Sequence, residues 1–134
     1  MASGADVLVS NSYPDEHQFN RAVWLAPRVL KEGGDLVIVG WTHDGQAIHQ
    51  YAGRFGTDFG GRGYSPAMRA KPLANAGRVI ILAPFLAHVD RMEWGAEKVV
   101  WCKNWGEVLA ELAGRHGPGT KVAVYPYTAL QIGN

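Results

Sequence analysis

Gly33-Gly34-Asp35-Leu36-Val37-Ile38-Val39 is the stretch on which the fold class turns. Four consecutive apolar residues, three of them β-branched, follow a glycine pair that favours the left-handed cap ending a helix. A run that is apolar at every position, rather than at alternate ones, reads as a strand buried on both faces. Upstream, Phe19, Ala22, Val23, Ala26, Val29 and Leu30 recur at spacings of three and four, which predicts a helix from about Asp15 to Lys31. Pro27 inside that pattern is expected to kink it. Val7-Leu8-Val9 precedes it as a first strand.

Downstream the same alternation continues, with strands expected at Arg78 to Leu82, Lys98 to Trp101 and Lys121 to Tyr125. Asn104 and Glu107 form a capping pair, and Trp105, Val108, Leu109 and Leu112 share one face of the helix that follows. Gly117-Pro118-Gly119 stops that helix. The expected fold is α/β: a mostly parallel sheet of about five strands with helices on both faces, a Rossmann-like three-layer sandwich. One domain is expected over 5–134, with Met1-Ala2-Ser3-Gly4 outside it. Thr57 to Pro72 breaks the rhythm, and an irregular stretch of that length, with Gly60-Gly61-Arg62-Gly63 inside it, reads as a functional loop.

Composition removes several functions. The 134 residues carry 13 basic and 12 acidic side chains for a net charge of +1, with no electrostatic footprint for nucleic acid or an anionic membrane. No apolar stretch approaches the ~20 residues a spanning helix needs, and the N-terminus has no signal-peptide pattern. A lone Cys102 allows no intrachain disulfide, in keeping with a reducing compartment. The expectation is a soluble, cytoplasmic protein with no nucleic-acid or membrane partner.

In doubly wound sheets ligands bind beyond the carboxyl ends of strands, so the loops after Val9, Val39 and Leu82 come first. The loop after Val9 holds Tyr13, Pro14 and Asp15 and lacks the glycine fingerprint of a dinucleotide or phosphate site. Gln18 and Arg21, one helical turn apart, suit a small carboxylate: a bidentate guanidinium, an amide and a helix N-terminus together. Read alone, the pair also suits a solvated helix face. The loop after Val39 holds Trp41, His43, Asp44 and, further on, His49, whose spacing is wrong for two ligands on one helical turn. Surface histidines with Asp44 as a helix cap satisfy the same residues. Trp24, Trp41, Trp94, Trp101 and Trp105 are mostly spaced as core or as a lid against another surface, and Trp24 and Trp41 also suit a ligand cleft or a domain interface. Cys102 with His116 suits a nucleophile and base only if the fold brings them together, and a core-facing thiol is the simpler reading.

Taken in order, Ala5-Asp6-Val7, Tyr13-Pro14-Asp15 with Gln18-x-x-Arg21, Lys31-Glu32-Gly33-Gly34-Asp35, Asp44-Gly45, Gly77-Arg78-Val79-Ile80 and Lys121-Val122-Ala123-Val124-Tyr125-Pro126 resemble the C-terminal domain of the nickel-dependent lactate racemase family. The resemblance runs from Ala5 to about Ile132. It implies that this domain holds no cofactor itself. A nickel-pincer nucleotide would be carried, with the metal-binding and proton-transferring histidines, by an N-terminal cofactor-binding domain of the same protein. That cofactor would take a hydride from the hydroxyl-bearing carbon of a small 2-hydroxy acid and return it to either face. Gln18 matches the family's glutamine, and Arg21 stands where the family has lysine, which keeps the charge and changes the geometry. By resemblance Arg21 holds the substrate carboxylate, Gln18 orients it, and Tyr64 stands nearest to a family tryptophan. Tyr13, Asp15, His43 and Asp44 would line the cleft. The isolated chain would then be silent in catalysis. Two other classes stay open: a freestanding α/β small-molecule binding domain using the 57–72 loop, and a small hydrolase built on Cys102 and His116.

Overall fold

Leu36, Val37 and Ile38 are fully buried, in the middle of a five-stranded sheet. The computed structural model describes residues 4–14, 25–41, 75–86, 96–128 and 130. Its strands are β1 (Ala5–Asn11), β2 (Leu30–Val39), β3 (Ala76–Leu82), β4 (Val99–Cys102) and β5 (Val122–Tyr125). They lie in the order β4-β3-β2-β1-β5, and every neighbouring pair is parallel. A helix α1 (Ala26–Val29) precedes β2, a single 3-10 turn (Ala96–Lys98) precedes β4, and α2 (Trp105–Ala113) joins β4 to β5.

The unbroken apolar runs follow from helices lying on both faces. Leu8, Leu36, Ile38, Val79 and Ile81 pack on one side with Leu25, Ala26 and Val29 of the α1 segment. Val7, Val37, Ile80 and Leu82 point the other way, against Val108 of α2. Successive residues thus serve opposite layers, and each fully buried aliphatic side chain contributes about 1.5–3 kcal/mol. Asn104 caps α2 as expected, its side chain accepting from the Glu107 amide at 3.0 Å. The Glu107 carboxylate in turn accepts from the Lys103 amide at 2.7 Å.

Four expectations need correction. The helix expected to reach Lys31 ends at Val29, and Lys31 to Gly34 belong to β2. Pro27 sits in the first turn of α1, where its missing amide hydrogen costs nothing, rather than inside a longer described helix that it would kink. Gly33, with φ of +73°, is therefore no helix cap: it lies in β2 beside a register shift against β3. Its carbonyl oxygen would stand 2.5 Å from a Cβ at Gly77, so the β2 and β3 backbones meet there at a distance only glycine permits. On α2 the buried stripe is narrower than its period suggested, because Trp105 and Leu109 are exposed.

At the amino ends of the strands a charged network ties these elements together. Asp35, whose side chain has no exposed surface, accepts from Arg78 of β3 at 2.6 Å, from Arg115 at 3.0 Å, and pairs with His116 Nε2 at 2.9 Å. Arg78 also donates to the Glu111 carboxylate of α2 at 2.9 Å. Asp6 pairs with Lys31 and accepts from the Lys121 amide at 2.7 Å. Burial pushes the Asp35 carboxyl up, but the bonds from Arg78 and His116 and the Arg78 and Arg115 charges outweigh it, so its pKa lies below the usual carboxylate value. A lowered folded-state pKa means the stabilisation is complete above the ordinary value of about 3.9 and is lost as pH falls below it. Asp35→Asn, which leaves two guanidinium groups without their shared anion, is expected to cost about 3 kcal/mol in urea unfolding near neutral pH. The deficit should shrink as the wild type is titrated below pH ~4, where it too loses the carboxylate.

Candidate functional site at the carboxyl ends of the strands

β2, β3 and β4 are laid down successively on one side of β1, and β5 returns to the other side. The direction of winding therefore reverses between β1 and β5, and the crevice beyond their carboxyl ends is where an open parallel sheet accepts a ligand. Two turns form it here, Ser12-Tyr13-Pro14 after β1 and Pro126-Tyr127-Thr128 after β5.

Hydrogen bonds hold these turns past the ends of the strands. The Thr128 amide donates to the Asn11 carbonyl at 3.0 Å, and the Ser12 amide to Val39 at 2.8 Å. Gly40 donates to Leu82 at 3.0 Å and Ala83 to Cys102 at 3.2 Å, so the stitching crosses the whole carboxyl edge. Ser10 and Thr128, both buried, share a hydroxyl bond of 2.6 Å across 118 positions of chain. The Ser12 hydroxyl also donates to the Val39 carbonyl at 2.8 Å, and Asn11 Oδ1 accepts from the Tyr13 amide at 3.1 Å. These bonds present Tyr13 and Tyr127 side by side, with ring centroids 6.0 Å apart and planes inclined at 57°. The Tyr13-Pro14 peptide bond is cis.

An exposed aromatic side chain follows every strand: Tyr13 after β1, Trp41 after β2, Phe85 after β3, Trp105 after β4 and Tyr127 after β5. All five thus mark the rim at the carboxyl ends of the strands, where Tyr13 and Tyr127 are in ring contact, while the Asp35 network occupies the other end. Of the residues singled out from sequence, Tyr13 and Trp41 lie on this rim. Asp15, Gln18, Arg21, Trp24, His43, Asp44, His49, Tyr64, Trp94 and the 57–72 loop lie outside the described residues. Tyr127 escaped the sequence reading. The carboxyl-end rule singles out the loops after the first three strands, and only the strand order shows that β5 is the neighbour of β1.

The structure separates Cys102 from His116. Cys102 closes β4 beside Leu82, at the carboxyl end, whereas His116 is bound to Asp35, which pairs with Arg78 at the start of β3. Four residues of strand, about 13 Å, separate those two levels of the sheet. Burial pushes the Cys102 thiol above its ordinary pKa, with Glu107 and Glu111 adding to the rise, the opposite of an activated nucleophile. The hydrolase reading therefore falls. Among the described residues no group of three or more His, Cys, Asp or Glu stands together as a metal site, and no helix is long and apolar enough to cross a membrane.

No protein-family model and no curated protein matches the chain. Among solved structures it is similar to the lactate racemase apoprotein from Thermoanaerobacterium thermosaccharolyticum, with a TM-score of 0.68 and 18% sequence identity. The match covers 98% of this chain and 36% of that one, so the chain spans about a third of the length of the protein it resembles. At that identity the likeness is one of fold.

The hydroxyl pair behind the tyrosines carries a testable role. Thr128→Val removes the hydroxyl that the buried Ser10 hydroxyl bonds at 2.6 Å, at an expected cost of about 1–3 kcal/mol in thermal or urea unfolding. Faster amide hydrogen exchange at position 128 than in the wild type should accompany it, and an unchanged rate would show that the hydroxyl bond does not brace the turn.

Proposed function

We propose that this chain is the substrate-closing, C-terminal-type domain of a lactate racemase-like isomerase acting on a small 2-hydroxy acid. One observation carries the reading: over nearly its whole length the chain shares its fold with part of a lactate racemase apoprotein. Its switch-point crevice, moreover, leads in sequence directly into Gln18 and Arg21. In this proposal Arg21 pairs bidentately with the substrate carboxylate, Gln18 hydrogen-bonds and orients it, and Tyr64 contributes a contact from the 57–72 loop. Tyr13, Asp15, His43 and Asp44 border the cleft. The described residues offer no donor set for nickel, so they do not fit the cofactor, and no step through it is assigned to them. A nickel-pincer nucleotide and the proton-transferring groups belong, in this reading, to a partner domain. What falls to this chain is to bind and orient the acid and to exclude water when it closes.

Titrating lactate into the chain while following amide NMR shifts tests the binding half of the proposal. Arg21→Gln is expected to weaken binding by about tenfold or more, the scale of one charge-assisted hydrogen bond. Binding that survives both Arg21→Gln and Gln18→Ala would favour a freestanding binding domain with a different site. Adding the purified chain to a cofactor-loaded partner domain should restore interconversion of a hydroxy acid, and no turnover with any hydroxy acid would count against the isomerase.

A further inference from the structure

We infer that the open edge of β5 is a self-association surface, on which a second copy of this chain adds its own β5 antiparallel, about a two-fold axis beside Ala123.

β5 is an end strand: it pairs with β1 and, among the described residues, with no strand on its other side. In that parallel pairing Val7 stands beside Val122, and the Val7 amide donates to the Lys121 carbonyl at 3.2 Å. A ladder begun in this phase turns the backbone groups of Ala123 and Tyr125 towards β1 and those of Val122 and Val124 away from the sheet. The side chains of both valines, on the face shared with Val7 and Val9, are 54% and 61% exposed. Edge strands are commonly blunted by a charge, a proline or a bulge, and Val122–Tyr125 holds none of these.

Both ends of this edge are closed. Thr120 gives its amide to the Gly117 carbonyl at 3.2 Å, and Pro126 has no amide hydrogen. Between them the free donors and acceptors are those of Val122 and Val124, symmetric about Ala123. A copy laid antiparallel with Ala123 beside Ala123 places each Val122 opposite Val124 of the other chain. The two pairs then exchange all their outward N–H···O bonds, and β-branched side chains face one another across the join.

Charge favours the same occupant. Lys121, the one charged side chain in 120–126, falls opposite Tyr125 of the copy and on the same face of the sheet, where a cation is attracted to an aromatic ring. A parallel copy in register would set Lys121 against its own image, which is unfavourable. In the antiparallel arrangement the carboxyl-end crevices point to opposite ends of the joined sheet. A strand edge this short buries less than a standard interface, so the dimer is expected to be weak and concentration-dependent.

Sedimentation velocity and amide exchange of the whole chain, from about 10 μM to about 1 mM, cover the range of weak association. Monomer is expected to give way to dimer as concentration rises. Exchange at Val122 and Val124 should slow in step, while Ala123 and Tyr125, already bonded to β1, change little. Val122→Lys combined with Val124→Lys sets like charges opposite one another in both pairs and should weaken the dimer about tenfold or more. Val122→Lys combined with Val124→Glu sets opposite charges there and should retain it. A chain that stays monomeric throughout overturns the inference, and so does a dimer whose Val122 and Val124 amides gain no protection. Equal weakening by the two double variants overturns the antiparallel register, and protection only on adding a different polypeptide overturns the second copy as occupant. The wild-type amides decide the matter even if a variant fails to fold.

Discussion

Asp35 is a carboxylate with no exposed side-chain surface midway along the central strand, β2, and its partners come from two other places in the chain. Arg78 reaches it from β3, and Arg115 and His116 from the segment leaving α2. A buried charge of this kind is costly unless every lone pair is answered, so the ends of these elements are held in one arrangement. The consequence lies on the far side of the molecule. With α2 anchored at Asp35, the chain from Arg115 to Lys121 leads β5 alongside β1, where the Lys121 amide is received by Asp6. That placement makes the β1 and β5 turns neighbours, and the crevice between them exists because of it.

The sheet is thereby divided chemically along its strands. Its amino end holds acids and bases that satisfy one another, and its carboxyl end holds half-exposed aromatic rings behind a brace of hydroxyl and amide bonds. Among the described residues, Asp6, Asp35 and Glu111 pair at the amino end with Lys31, Arg78 and Arg115.

The sequence makes the layers legible because a parallel strand buried on both faces must be apolar at every position, and Leu36 to Val39 and Val79 to Leu82 obey that rule. The capping pair Asn104 and Glu107 was legible for a local reason, since both partners sit within one turn. What sequence could not supply was pairing across distance. Gly33 looks like a helix stop by local preference, yet it stands at φ of +73° within β2, and the close approach of its carbonyl is permitted by Gly77, 44 positions away. His116 looked like a base for Cys102 until its partner was seen to be Asp35. Tyr127 carried no signal at all until the strand order made β5 the neighbour of β1, and with that order the second half of the crevice appears.

In the proposed function the carboxyl end of the sheet is the working end and the Asp35 end is structural. Amide hydrogen exchange of the whole chain, with and without a saturating 2-hydroxy acid, tests it most directly. Slower exchange is expected in 10–14 and 125–128, around the crevice, with 31–36 and 111–121 unchanged. Protection confined to 31–36 and 111–121, at the buried charge network, would contradict it.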